Sequence, residues 1–228
     1  MRFGDRELSP PLVVAAIGDS PEVSAKRAKQ MGADVLELRI DLLGATGAAD
    51  VARTLGHLGL PMIATNRLAA EGGKWDGSEE ERISVLQSVL GYCDAVDIEL
   101  CAEKAPAVID DVKRMGKTVI VSSHDFKRTP SRKEMAAILE NAFSLGADIA
   151  KLAVTPASLE DVLALFEVTL HAGRPVCTIA MGELGRHTRA VLPIYGSVLT
   201  YGSAGKATAP GQMRVDELVS ELRLLGAK

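Results

Sequence analysis

The sequence predicts an α/β fold, a (β/α)8 TIM barrel whose eight parallel strands are ringed by helices, and three observations point to it. Short apolar runs alternate with helical segments along the whole chain, joined by short connections with no linker or low-complexity stretch. Eight such runs in 228 residues fit the compact end of the roughly 200 to 400 residue range of that barrel. Finally, Gly32-Ala-Asp-Val-Leu-Glu37-Leu and Gly146-Ala-Asp-Ile-Ala-Lys151-Leu align without gaps, and Ala95-Val-Asp-Ile-Glu99-Leu fits the same frame. The expected organisation is one catalytic domain over residues 1–228. An open doubly wound sheet is the alternative, but no G-x-G-x-x-G follows the first strand.

In order, Leu12 to Ile17 is the first strand, and Ser20-Pro21 reads as an N-cap with a first-turn proline opening a helix to about Met31, where Gly32 ends it. Asp34 to Ile40 is the second strand, Ala48 to Leu58 a helix stopped by Gly59-Leu-Pro61, and Met62 to Thr65 the third strand. After a Gly-rich loop, Ser78 with Glu81 makes a capping box for a helix to about Gly91. Strands at Ala95–Leu100 and Lys117–Ser122 flank a helix at Lys104–Met115. A helix from Ser131 to Leu145 leads to the strand ending at Val154, and Ser158 to His171 is helical. Pro175–Ala180 and Gly196–Thr200 complete the strands, and Val215–Leu225 is the last helix.

Composition narrows the function classes. The chain is 47% hydrophobic and 25% charged with a formal net charge of -4, and 4% aromatic residues leave little to stack on bases, so nucleic acid is not an expected partner. Three cysteines, Cys93, Cys101 and Cys177, are an odd number without metal spacing, which suggests reduced thiols and a cytoplasmic protein. The N-terminus is charged and lacks an apolar signal segment, and the uncharged run from Ala190 to Gly205 is broken by Pro193 and glycines, so no membrane association is expected.

Lys151 stands inside an apolar strand, and a buried lysine needs a partner or a job. If desolvated and neutral, its amine can attack a carbonyl to form an imine; if the stem reaches solvent, it does nothing. In a barrel, alternate strands fill the same interior layer, so Glu37, Glu99 and Lys151 would lie level, with Arg39 and Asp97 on the same faces. Those charges either build a site or form a satisfied internal ion-pair network.

Barrel active sites lie where strands end at the C-terminal face. There the third strand runs into Thr65-Asn-Arg67 with Glu71-Gly-Gly73 following, and the fifth into Ser122-Ser-His124-Asp-Phe126. His124 is next in strand order to Lys151 and is the candidate proton carrier: an imine acidifies the adjacent C–H, and a histidine titrating near neutrality can take that proton and return it to a leaving group. Arg39, Arg67 and Arg189 at the same face suit a carboxylate or hydroxyls. The loop Tyr201 to Gln212 reads as a lid, with Thr208 and Gln212 offering contacts to a polyol, although a phosphate site is the other reading of such a loop. No metal is needed, since no His or Cys pair has ligand spacing, and no cofactor is expected.

The set Glu37-Leu-Arg39-Ile-Asp41, Arg67 with Glu71-Gly-Gly73, Ser123-His124-Asp-Phe126, Lys151-Leu-Ala153, Met181-Gly182 with Arg189, and Ala209-Pro-Gly-Gln212 resembles the type I 3-dehydroquinate dehydratases of the shikimate pathway, in order and over almost the whole chain. The resemblance implies a (β/α)8 barrel, a homodimer, converting 3-dehydroquinate to 3-dehydroshikimate and water. It assigns imine formation to Lys151, acid/base catalysis to His124 assisted by Glu71, the substrate carboxylate to Arg189, and hydroxyl contacts or pocket shape to Glu37, Arg39, Arg67 and Gln212. Two positions depart from the pattern: Thr208 stands for a serine, and Asn66 for an apolar residue. A class I aldolase acting on a sugar phosphate and a non-catalytic metabolite-binding barrel are the competing readings.

Overall fold

The computed structural model describes residues 1–228. A two-stranded hairpin, β1 (Arg2–Phe3) and β2 (Arg6–Glu7), precedes the barrel strands β3 (Leu12–Ile17), β4 (Val35–Arg39), β5 (Met62–Thr65), β6 (Ala95–Glu99), β7 (Thr118–Asp125), β8 (Ile149–Val154), β9 (Val176–Ala180) and β10 (Leu199–Ser203). Between them run α1 (Pro21–Gln30), α2 (Ile40–Leu43), α3 (Ala48–Gly56), α4 (Glu79–Val89), α5 (Ala105–Arg114), α6 (Arg132–Leu145), α7 (Leu159–Leu170), α8 (Gly182–Gly185) and α9 (Thr188–Val191), and α10 (Val215–Leu224) follows. The eight barrel strands pair in parallel in the order β10-β3-β4-β5-β6-β7-β8-β9, nearly closing the predicted barrel.

Closure is made by side chains as much as by backbone. β9 and β10 share only an isolated bridge between Val176 and Ser197, with Val198 N–H donating to Val176 O at 2.8 Å. The Ser197 hydroxyl fills the gap, accepting from Thr178 N at 3.1 Å and donating to Leu199 O at 3.0 Å. The final strand accordingly begins at Leu199, three residues later than the apolar run suggested, because Gly196 to Val198 belong to this seam.

Period-2 alternation sends one face of each strand inward and the other against the helices. The outer face packs into a large core in which Leu36, Leu38, Val96, Ile98, Val119 and Val121 meet helix residues such as Leu86, Val112 and Leu139. The inner face is apolar at its N-terminal end, where Leu12, Val35, Ile63, Ile120, Ile149 and Leu199 surround a fully buried Phe3. The hairpin β1–β2 carries that phenylalanine and stoppers the barrel, its Gly4 N–H bonding Thr118 Oγ1 at 2.9 Å.

Helix starts follow local chemistry. Ser78 Oγ accepts from Glu81 N at 3.2 Å while Glu81 Oε2 accepts from Ser78 N at 2.8 Å, the predicted reciprocal cap, and Ser131/Glu134 and Ser158/Asp161 repeat it. Ser20 differs: it adopts φ 37° and makes no side-chain cap bond, so Pro21 opens α1 alone. Between β9 and β10, where the sequence indicated no helix, α8, α9 and a 3-10 turn (Leu192–Tyr195) take the place of one long crossover.

The aspartates of the internal repeat have a shared task. Asp34, Asp94 and Asp148 each accept from an N–H at the start of the preceding barrel strand, the first or second residue, at Val13, Met62 and Val119, at 2.7 to 2.9 Å. Asp94 therefore matches Asp34 and Asp148, and the residue three further on, Asp97, matches Glu37 and Lys151. The frame read from Ala95-Val-Asp-Ile-Glu99 was displaced by two residues: Asp97 shares the lysine's layer, and Glu99 lies in the next one up.

Candidate active site

The nine residues singled out in the sequence, Glu37, Arg39, Arg67, Glu71, His124, Lys151, Arg189, Thr208 and Gln212, all line one pocket at the C-terminal mouth of the barrel. Strands supply four of them. Glu37, Arg39, His124 and Lys151 lie within or at the ends of β4, β7 and β8, and the βα connections supply the rest. Strand β7 continues to Asp125, beyond the expected end at Ser122, so His124 is held by ladder pairing opposite Ala153 instead of by a loop.

Lys151 is buried at the pocket floor, but it is not left unpaired. Its Nζ donates to Asp97 Oδ2 at 2.8 Å, lies 3.9 Å from Glu37 Oε1 and sits 4.2 Å from the ring centroid of Tyr201. Instead of a stem reaching solvent, the lysine is thus held in a buried ion pair. Burial alone would raise the Asp97 carboxyl, yet the charges of Arg67 and Lys151 overcome it and hold Asp97 far below the usual carboxylate range.

Beneath the pocket a buried network fixes Arg67. Its guanidinium donates to Asp97 Oδ1 at 2.8 Å, to Glu99 Oε1 at 2.9 Å and to the Ser122 hydroxyl at 2.7 Å. Burial opposes that charge, but the surrounding carboxylates, Asp97 first, raise its pKa above the ordinary arginine value. Glu99 Oε2 accepts from Arg82 at 2.8 Å, and Arg82 also binds Asn66 O and both oxygens of Glu79. Asn66 returns the contact, its side-chain amide donating to Arg82 O at 3.2 Å, which gives a polar residue at this position a purpose. Arg39 is clasped bidentately by Asp41 at 2.8 and 2.9 Å, and Asp41 also accepts from Lys74 N, tying the Gly-rich loop to β4.

Glu71 and His124 form a second pair. Glu71 Oε2 accepts from the His124 backbone N–H at 2.9 Å and lies 2.8 Å from Nδ1, while Oε1 accepts from the Cys101 thiol at 3.1 Å. Burial pushes the Glu71 carboxyl up to about 7, and burial with the nearby charges of Arg67 and Lys151 drives His124 well below its ordinary value. Neutral His124 with its Nδ1 proton directed at Glu71 leaves Nε2 able to accept a proton.

Arg189 is a buried cation whose three hydrogen bonds all go to neutral backbone carbonyls: Gly211 at 3.1 Å, Pro210 at 3.1 Å and Tyr201 at 3.3 Å. No carboxylate of the chain forms an ion pair with it, and burial lowers its pKa to about 10. A buried cation bonded only to neutral carbonyls keeps its full charge directed into the pocket it lines. The same bonds dock the 204–213 loop over the pocket, where Gly182 N–H also bonds Pro210 O at 3.2 Å and Thr208 N–H bonds Gln212 Oε1 at 2.8 Å.

Several participants escaped the sequence reading. Arg82 shares the buried α4 stripe with Leu86 and Val89, and a charge on that stripe was the available signal. Cys101 is exposed and bonded to Glu71, while Tyr201 lines the pocket beside Lys151.

A barrel with charged and titratable side chains converging at its C-terminal mouth is the architecture of a TIM-barrel enzyme. A sequence model of the type I 3-dehydroquinase family matches residues 13–228. A 3-dehydroquinate dehydratase from Methanosarcina barkeri is 52% identical over 235 residues, covering 97% of each chain. Among solved structures, 3-dehydroquinate dehydratase from Geobacillus kaustophilus superposes with a TM-score of 0.90 at 28% identity, covering 99% of this chain and 98% of that one. Type I 3-dehydroquinate dehydratase from Clostridium difficile, with covalently modified comenic acid, gives 0.89 at 30% identity over 99% and 96% of the two chains. The chain belongs to the type I 3-dehydroquinase family, hydro-lyases that dehydrate 3-dehydroquinate.

Proposed function

We propose that this chain converts 3-dehydroquinate to 3-dehydroshikimate through an imine on Lys151, with His124 moving protons and Glu71 orienting it. The observation that carries the reading is the shared pocket: a buried lysine, a neutral histidine held by a carboxylate and a buried arginine lacking an anion line one cavity. The covalent adduct in the Clostridium difficile structure is in keeping with it.

Arg189 receives the substrate carboxylate, and the ketone lies against Lys151. His124 Nε2 takes a proton from the Lys151 ammonium, and the free amine adds to the carbonyl carbon. His124 returns that proton to the carbinolamine hydroxyl, which leaves as water and generates the iminium. The iminium acidifies the neighbouring C–H; neutral His124 takes this proton, and the electron pair forms an enamine. Collapse of the enamine expels the hydroxyl one carbon further on, which departs as water with the proton His124 carries. Water then hydrolyses the conjugated iminium, restoring the lysine and releasing the enone, so one water is lost overall.

Asp97 remains ionised throughout, because Arg67 holds it so even when Lys151 leaves to attack. Arg39, Glu37, Arg67, Thr208 and Gln212 surround the remaining hydroxyls. We also assign the chain to the cytoplasm as a homodimer, from the resemblance; no helix is long and apolar enough to cross a membrane. Incubation with 3-dehydroquinate and borohydride tests the mechanism: a reduced adduct on Lys151 in the mass spectrum supports it, and unmodified Lys151 in enzyme that still produces enone excludes the imine.

A further inference from the structure

Tyr201 stands in the middle of β10 on the barrel's inner face and lines the pocket between the proposed nucleophile and the proposed carboxylate anchor. Its ring lies under Lys151 Nζ, 4.2 Å from centroid to nitrogen, and its backbone carbonyl accepts from Arg189 at 3.3 Å. The phenol oxygen is buried and has no hydrogen-bond partner within the chain, one of three side-chain atoms in the protein in that position. A buried, unpartnered hydroxyl is costly, and such groups recur where a ligand completes them. The ring accounts for packing against Ile179 and Leu199 and for the contact with the lysine; neither requires the oxygen.

We propose that Tyr201 is a further substrate-contact residue, its phenol taking as partner a hydroxyl oxygen of the bound polyol. This inference rests on the reading above, in which substrate spans Lys151 and Arg189 and so passes the edge of this ring. Tyr201 lines the same pocket as Lys151 and Arg189, so a substrate lying there is the group placed to supply the missing partner.

Tyr201→Phe removes the oxygen and keeps the ring, which separates the two roles. The test reads three quantities with purified full-length enzyme and 3-dehydroquinate: kcat/KM, the thermal midpoint of the free enzyme, and the rise in that midpoint at saturating substrate. Expected are a fall of about tenfold in kcat/KM, a free-enzyme midpoint unchanged or raised by a few degrees, and a smaller substrate-induced rise than in the parent enzyme. An unchanged kcat/KM overturns the proposal, and so does a loss accompanied by a lowered free-enzyme midpoint, which makes the hydroxyl structural. Should the parent enzyme itself give no enone, the dehydratase reading fails, whereas turnover by the parent with an indifferent variant removes only the role of Tyr201.

Discussion

Glu71 meets His124 through a single carboxylate oxygen, Oε2, which faces both the histidine's backbone N–H at 2.9 Å and its Nδ1 at 2.8 Å. The histidine is thereby fixed in position and tautomer by one group, and the two residues titrate as a unit. Because burial raises Glu71 to about 7 while His124 is lowered, the proton gained as pH falls through neutrality enters this pair first. Below that point the carboxyl cannot hold the Nδ1 proton in place, and the base proposed at Nε2 is lost.

The pH profile of kcat/KM should therefore rise with pH through an apparent pKa near 7 and then level. Glu71→Gln should remove that limb and lower kcat by about 10 to 100-fold, since the acid/base group survives without its orienting partner. A limb that persists unchanged in the variant assigns it to another group.

Lys151→Ala should abolish turnover and borohydride trapping while calorimetry still registers substrate binding, because Arg189 and the other polar groups remain. Equal loss of binding would make the lysine chiefly structural. His124→Ala should still permit trapping of an adduct, formed slowly, with proton transfer stalled.

Arg189→Lys should raise KM by roughly 100-fold with little rescue over Arg189→Ala. A single ammonium cannot serve Tyr201, Pro210 and Gly211 together and still present a fork to a carboxylate. Steady-state kinetics on both variants checks this, and near-normal KM in the lysine variant refutes it.

Gly211 has φ +67°, and a Cβ there would stand 2.2 Å from the carbonyl oxygen of Gly182. Gly211→Ala should undock the loop, lowering kcat/KM by about tenfold and opening residues 204–213 to proteolysis, with little change in thermal midpoint. A protease-resistant loop in that variant would show that docking tolerates the methyl group.

Glu99→Gln leaves two buried guanidiniums sharing a neutral partner and should destabilise the fold by about 3–5 kcal/mol. Chemical denaturation checks this; a change below about 1 kcal/mol would mean Asp97 and Glu79 compensate fully.

The strands were legible because buried parallel strands read as apolar runs, and the helix starts at Ser78 because its cap is local. Of the nine pocket residues, Glu37 and Lys151 stood in a repeating frame and Arg39, Arg67 and His124 at or just past strand ends, while Glu71, Arg189, Thr208 and Gln212 came from the following loops and the family resemblance. What the sequence hid depends on contacts distant in the chain. Phe3 becomes a plug only once eight strands surround it, and the pairing of Asp97 with Lys151 follows from Asp94 bonding Met62, which fixes the register. Arg82 and Glu99, separated by 17 positions, meet only when α4 lies on β6.

The seam at Ser197 has a consequence for how the barrel breathes. Seven of the eight strand junctions are full ladders, whereas the eighth depends on the Ser197 hydroxyl, the Cys177 thiol and a few backbone contacts. Amides along this join should exchange with solvent sooner than those of β7 and β8, which carry His124 and Lys151. Local opening can then loosen the wall that bears Tyr201 and leads into the 204–213 loop, while the strands holding His124 and Lys151 stay shut.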